Sequence, residues 1–126
     1  MFAQCPGSRC GTVCGVEVEG LTAVLPASDL AQAVRTWSAI LGTRPSFVDG
    51  DRWAQFDVGG RRLALAGADR VVDVPAIMLR VRDLAAAREE AVGAGLDAGE
   101  VQEGPHELRC VLAGPDGVPI VLYQPR

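Results

Sequence analysis

The stretch ASDLAQAV at residues 27–34 returns with small changes as VRDLAAAR at residues 81–88, 54 residues further along the chain. Alternating apolar segments precede both copies, LTAVLP at 21–26 and PAIMLR at 75–80. Apolar residues at helical spacing follow both copies and end near a glycine. This recurrence indicates that the chain contains a duplicated unit of strand followed by helix.

A second repeat extends the unit toward its carboxyl end. GRRLALAG at 60–67 and GVPIVLYQ at 117–124 match at a spacing of 57 residues. The alternation of apolar residues predicts strands, and the glycines at 59–60 and 114–117 predict the hairpin turns before them. RWAQFDV at 52–58 and ELRCVLAG at 107–114 then supply the preceding strands. Each half is therefore predicted to be one strand, one helix and several further strands.

The helix boundaries follow from capping residues. Ser28 or Asp29 can cap the first helix, and Gly42 is expected to end it. The second helix is expected over residues 84–92 and to end near Gly93 or Gly95. The apolar face of the first helix is expected to contain Leu30, Ala33, Val34, Trp37, Ile40 and Leu41.

The domain organisation that we expect is an extension over residues 1–19 and one domain over residues 20–126. Its first module covers about 20–68 and its second about 75–126, with DRVVDVP at 69–75 as the linker. This linker permits each half to pair with the other half of its own chain or with a neighbouring chain.

Composition excludes several function classes. The net charge of −4 argues against nucleic-acid binding, because phosphate contacts need a basic surface. No apolar run approaches the ~20 residues of a membrane span, and the first residues lack the pattern of a signal peptide. A cytoplasmic protein is expected. All 12 basic residues are arginine, which is typical of a GC-rich bacterial genome.

Four cysteines leave two interpretations open. Cys5, Cys10 and Cys14 lie in CPGSRCGTVC, and with Cys110 they could form a zinc site. Their C-x4-C and C-x3-C spacings are tolerable for zinc, but the second half of a zinc motif is absent. We therefore favour a loosely ordered extension with reduced thiols, and Cys110 as a small core residue.

The arrangement resembles the glyoxalase, bleomycin-resistance and extradiol-dioxygenase superfamily, the vicinal-oxygen-chelate fold. VLPASDLAQAVRTWSAILG at 24–42 and AGPDGVPIVLYQP at 113–125 carry the resemblance, which covers roughly residues 20–125. It implies an α+β fold in which two βαβββ modules form a curved mixed sheet, the cup. It also implies a homodimer, since members of this superfamily commonly dimerise.

The resemblance further implies four metal-ligand positions in the cup. They correspond here to Thr22, Ala64, Ala76 and Val121, where metalloenzymes of the superfamily carry His or Glu. Alanine and valine donate no electron pair, and a threonine hydroxyl is a weak ligand. We expect no metal and no other cofactor in the cup. His106, the only histidine, lies in a loop and is expected to be solvated.

Strand alternation sorts the side chains onto two faces of the sheet. Leu21, Ala23 and Leu25 are expected to make the first strand half-buried. The face toward the helices is expected to contain Ala23, Leu25, Leu63, Leu65, Ile77, Leu79, Ile120 and Leu122. The cup face is expected to contain Thr22, Val24, Arg62, Ala64, Met78, Arg80, Arg109, Val121 and Tyr123. From the strand at 53–58 it is joined either by Trp53, Gln55 and Asp57 or by Ala54, Phe56 and Val58. We favour the first set, because Phe56 and Val58 are better core residues.

From the cup face we select as ligand-binding residues Trp53, Gln55, Arg62, Met78, Arg80, Arg109 and Tyr123. Trp53 could equally be a packing residue, and Arg80 an exposed or interface arginine. The main hypothesis is a metal-free protein of the bleomycin-resistance type that sequesters a planar, antibiotic-like molecule. The alternative is a metal-independent lyase or isomerase that uses Asp57, His106 or Tyr123 as acid or base. A third possibility is a dimeric scaffold without a ligand.

Overall fold

Two helices and eight strands follow one another in the order of the two repeats. The structure, a computed structural model, describes residues 17–126. Cys5, Cys10 and Cys14, and with them the proposed zinc cluster, lie outside the described residues. The elements are β1 (Val18–Pro26), α1 (Leu30–Leu41), β2 (Phe47–Asp49), β3 (Trp53–Val58), β4 (Arg61–Ala66), β5 (Ala76–Val81), α2 (Leu84–Gly93), β6 (Gln102–Glu103), β7 (Glu107–Ala113) and β8 (Pro119–Pro125).

All eight strands form one mixed sheet in the order β2-β3-β4-β1-β5-β8-β7-β6. Within each module the first and last strands are parallel, as β1 is to β4 and β5 is to β8. The antiparallel pair of β1 and β5 joins the modules, with Thr22 opposite Met78. The predicted α+β fold of two βαβββ modules is therefore confirmed. In this structure each half pairs with the other half of its own chain.

The repeated Asp-Leu dipeptide starts both helices. Asp29 accepts a hydrogen bond from the backbone N–H of Gln32, and Asp83 accepts one from that of Ala86. These caps satisfy backbone donors that the first helical turn leaves unpaired. Gly42 ends α1 with a φ of 69°, a conformation that favours glycine. Of the two candidates, Ser28 and Asp29, the residue that caps α1 is Asp29.

Each helix covers its own apolar cluster. Under α1 the cluster is Leu30, Ala54, Phe56 and Leu65, and Trp37 packs against it as expected. Under α2 the cluster is Val81, Leu84, Ala87, Ala91, Cys110, Leu112 and Leu122. The Cys110 Sγ donates to the Gly99 carbonyl at 3.3 Å, and burial raises the pKa of this thiol. Cys110 is thus the core residue that its strand position predicted.

Two apolar residues are more exposed than the sequence pattern predicted. Ile40 on α1 is 63% exposed and Leu21 on β1 is 62% exposed. The reason is that α1 packs on β3 and β4 while α2 packs on β7 and β8, so neither helix covers the middle of the sheet. The uncovered surface, which we call the central valley, is formed by Leu21 and Ala23 on β1 opposite Leu79 and Ile77 on β5.

The ends of both helices agree with the sequence, since α1 ends at Leu41 before Gly42 and α2 ends at Gly93. β1 begins at Val18, two residues before the expected start of the first module. Gly59 and Gly60 both have positive φ values, 56° and 78°, as a tight two-residue hairpin between β3 and β4 requires. None of the described helices is both long and apolar enough to cross a membrane.

We expect Phe56→Ala to lower the free energy of unfolding by about 3–5 kcal/mol, because it leaves a cavity in the α1 cluster. Val58 shares the strand and face of Phe56 but is 40% exposed, so Val58→Ala should cost less than about 1 kcal/mol. Urea unfolding of the two variants measures the difference. Equal losses would contradict the burial of Phe56 under α1.

Candidate ligand-binding site

The sheet face opposite the helices forms a cavity of about 270 Å³. Both modules contribute to its walls, since β1, β3 and β4 meet β5, β7 and β8 across the central strand pair. Six of the seven residues selected from the sequence line it together: Trp53, Gln55, Arg62, Met78, Arg109 and Tyr123. Strand alternation therefore predicted which of these side chains share one face.

Arg80 is the one selected residue that the structure places outside the cavity. It lies opposite Gly20, which has no side chain, and its half-exposed guanidinium extends to Glu19, with 3.8 Å between Nε and Oε1. The long side chain therefore leads away from the cup. This placement corresponds to the exposed alternative that the sequence left open for Arg80.

Trp53 and Met78 fill the floor of the cup. They pack against Val24, Ala64 and Ala66, which form a buried apolar cluster on this face. The indole Nε1 of Trp53 donates to Gln55 Oε1 at 3.2 Å, which fixes the orientation of both side chains. Trp53 thus packs on this cluster and also lines the cavity.

The four positions implied for a metal do not fit a divalent cation. Ala64 belongs to the apolar cluster under Trp53 and Met78, and Ala76 and Val121 are buried as well. Thr22 is the only one of the four that lines the cavity. Methyl and isopropyl groups offer no donor atoms, and one hydroxyl falls short of the three protein ligands that catalytic sites usually need. Over residues 17–126 no group of three His, Cys, Asp or Glu side chains could hold a metal ion.

A partly buried ion pair forms one wall. Arg109 Nη1 lies 3.0 Å from Glu107 Oε2, and the two side chains are 23% and 22% exposed. Both residues face the cup because they are two positions apart on β7. The Nε of Arg109 is buried and has no hydrogen-bond partner among residues 17–126. Leaving such a donor unsatisfied costs about 1–3 kcal/mol.

A second ion pair is more open to solvent. Arg62 Nε lies 3.3 Å from Asp57 Oδ1, and both side chains are about half exposed. Asp57, which was expected on the cup face, pairs opposite Arg62 on the neighbouring strand. Solvent screening makes this pair worth little to stability. Its main effect is to neutralise the charge of Arg62 at the edge of the cavity.

Sequence reasoning missed the residues that close the cup. Asp69 and Val71 come from the linker, Pro105 and His106 from the loop before β7, and Pro125 from the end of β8. No local pattern places loop residues over a sheet. Glu107 could have been found, because alternation puts it on the same face as Arg109. His106 is exposed as expected, yet it also lines the rim.

Neither a family model nor a curated protein sequence matches this chain. Solved structures do resemble it. A structure described as an NAD-dependent benzaldehyde dehydrogenase from Legionella pneumophila superposes with a TM-score of 0.77 at 12% identity, over 84% of this chain and 99% of that one. Methylmalonyl-CoA epimerase from Mycobacterium tuberculosis gives 0.63 at 21% identity, over 90% and 92% of the two chains.

A third structure bears the name of the superfamily suggested by the sequence. It is a glyoxalase/bleomycin resistance protein/dioxygenase superfamily member from Vibrio splendidus, with a TM-score of 0.62 at 12% identity over 82% of this chain and 97% of that one. The chain therefore has the glyoxalase-like fold that the resemblance implied. At these identities the likeness concerns the fold, and the different activities in these descriptions show that this fold does not determine one reaction.

After incubation with zinc, nickel, manganese or iron(II) and dialysis, we expect no stoichiometric metal in the cup, because its floor lacks donor atoms. Elemental analysis of the full chain and of a variant lacking residues 1–15 makes the test. Metal that is lost with the deletion would belong to the amino-terminal cysteines. Metal that is retained at one ion per chain in the deletion variant would contradict the expectation.

Proposed function

We propose that the cup binds a small, flat, partly apolar molecule without the help of a metal. The observation that supports this most is the presence of Trp53, Met78 and Tyr123 with Gln55 and Arg109 around one cavity. Small-molecule sites typically combine apolar and aromatic walls with a few polar groups that orient the ligand. The role is sequestration, in which the ligand is held and no bond is broken.

The size of the cavity limits the ligand. Its volume of about 270 Å³ is just below the ~300–1,000 Å³ that small-molecule sites usually have. A molecule of one or two fused rings suits this space. Larger antibiotics would have to leave much of their surface outside the cup, so our proposal narrows the sequence-based hypothesis to compact ring systems.

The contacts on offer are strong enough for useful affinity. Stacking on Trp53 or Tyr123 contributes about 0.5–1.5 kcal/mol per pair beyond the burial of area. A hydrogen bond to a charged group contributes about 1.5–3 kcal/mol. With the burial of ring surface against Met78 and Val71, micromolar affinity, about −8 kcal/mol, is reachable after the costs of ordering are subtracted.

A metal-independent enzyme is the second candidate, and one observation favours it. His106, Glu107 and Tyr123, all groups that can transfer protons, line the same cavity. Glu107, however, already accepts a hydrogen bond from Arg109. Asp57 does not line the cavity, and it accepts a hydrogen bond from Arg62. His106 is exposed at the rim. We therefore favour the binding role over the catalytic role.

A fluorescence titration tests the binding role. Trp37→Phe leaves Trp53 as the only tryptophan, and we expect its emission to change on titration with naphthalene derivatives, with dissociation constants in the micromolar range. Trp53→Ala should weaken binding at least about tenfold while the protein stays folded, because a stacking wall is lost. Calorimetry replaces fluorescence for that variant.

Three outcomes distinguish the candidates. Recovery of the unchanged compound supports sequestration, whereas recovery of an altered compound supports the enzyme. A panel of planar compounds that changes neither the emission nor the melting temperature would leave the scaffold as the better explanation. Unfolding of Trp53→Ala would show that the fold requires the packing of Trp53, and would contradict its assignment as mainly a ligand contact.

The homodimer and the cytoplasmic location stay predictions, and we propose the central valley as the dimer contact. Leu21 is exposed there between the two helices, and the repeat makes the valley roughly two-fold symmetric, which suits a second copy of the same chain. A contact of this kind would bury apolar surface that is otherwise in water.

Sedimentation at micromolar concentration checks the dimer. We expect the unchanged chain to sediment with twice the mass of one chain, and Leu21→Glu to sediment as a monomer because a charge would enter the contact. Val92→Glu is the control, since Val92 is exposed on α2 and outside the valley. A monomeric unchanged chain would contradict the proposal.

A further inference from the structure

The charges around the cup restrict the ligand further. Two cations, Arg62 and Arg109, are balanced by Glu107 and Asp69 in the lining and by Asp57 beside Arg62. The lining itself holds two positive and two negative charges, so its net charge is zero with His106 neutral. The whole chain carries −4, so no net positive charge of the protein draws an anion to the cup. A charged ligand would therefore give up its hydration in the cup without a net opposite charge to offset the loss.

The hydrogen-bond donors of Arg109 indicate which polar group the ligand should carry. A guanidinium has five N–H donors and no acceptor. For Arg109 one of these bonds goes from Nη1 to Glu107. The Nε is buried, so the donors that a ligand in the cavity can reach are those of the two Nη groups. A ligand oxygen at that wall would accept a hydrogen bond from them.

The loop beneath holds the ion pair in place. A Cβ on Gly104 would overlap the Glu107 carboxylate and lie 3.0 Å from Arg109 Nη1, so the pair rests directly against the loop backbone. Glu107 also accepts from the backbone N–H of His106 at 3.3 Å. Glu107 is thus a fixed counter-charge, and it stays beside Arg109 when a ligand arrives.

We propose that the cup selects neutral planar molecules that carry a hydrogen-bond acceptor, such as an amide or ketone oxygen, over the corresponding carboxylates and amines. Arg109 is the donor, and Glu107 is the residue that sets the charge of the ligand. This inference rests on the proposed binding function.

Three naphthalene probes of equal shape test the inference: 2-naphthamide, 2-naphthoate and 2-naphthylmethylamine. For the unchanged chain we expect 2-naphthamide to bind about tenfold more tightly than either charged probe, a difference of about 1.4 kcal/mol. Added salt should leave the binding of 2-naphthamide unchanged, because this probe carries no charge. This measurement requires no variant.

Substitutions separate the two roles. Glu107→Gln should raise the affinity for 2-naphthoate about tenfold, since it frees the charge of Arg109. Glu103→Gln changes the net charge by the same amount from an exposed position on the other face of the sheet, and should leave the preference unchanged. Arg109→Lys keeps the charge but loses the planar donor group, and should weaken binding of 2-naphthamide about fivefold.

The outcomes distinguish this inference from the binding function itself. Tighter binding of 2-naphthoate or of the amine by the unchanged chain would overturn the inference and leave the binding function standing. An unchanged preference in folded Glu107→Gln would also overturn it. If none of the three probes and no other planar compound binds, the binding function fails and the inference fails with it.

Discussion

The antiparallel pairing of β1 with β5 is the interaction on which the rest of the molecule depends. It places Thr22 opposite Met78 and turns two four-stranded half-sheets into one surface. Trp53 and Gln55 of one half face Arg109 and Tyr123 of the other because of it. Residues of both modules line the cavity, so the site exists only while this strand pair holds the two halves together.

The floor of the cup shows packing at the positions that the resemblance implied for metal ligands. Small side chains such as Ala64 and Ala66 leave space above the sheet, and Trp53 and Met78 occupy it. The burial of their apolar surface is worth roughly 25 cal/mol per Å². A charged ligand set in the same place would need a bound cation to offset its desolvation. The chain gains stability there without one.

The repeat and the alternation in the sequence predicted most of the fold and most of the side chains on the cup face. Periodicity decides which way a side chain points, so Phe56, Trp37 and six of the selected cup residues lie where expected. It does not say how far a helix extends over a sheet, and for that reason Leu21 and Ile40 are exposed. Loop closure also has no local signal, and Asp69, Val71 and Pro105 entered the site through tertiary structure alone.

The duplicated architecture has one more consequence, for the pose of a guest. Ala66 and Tyr123 are related by the 57-residue repeat, and their cross-strand neighbours are Trp53 and Arg109. Corresponding places in the two halves thus hold an indole and a guanidinium. If the two halves were identical, a bound molecule could lie in two orientations related by the two-fold axis between the halves. Here one end of the cup is apolar and the other donates hydrogen bonds, so an asymmetric ligand has one preferred orientation.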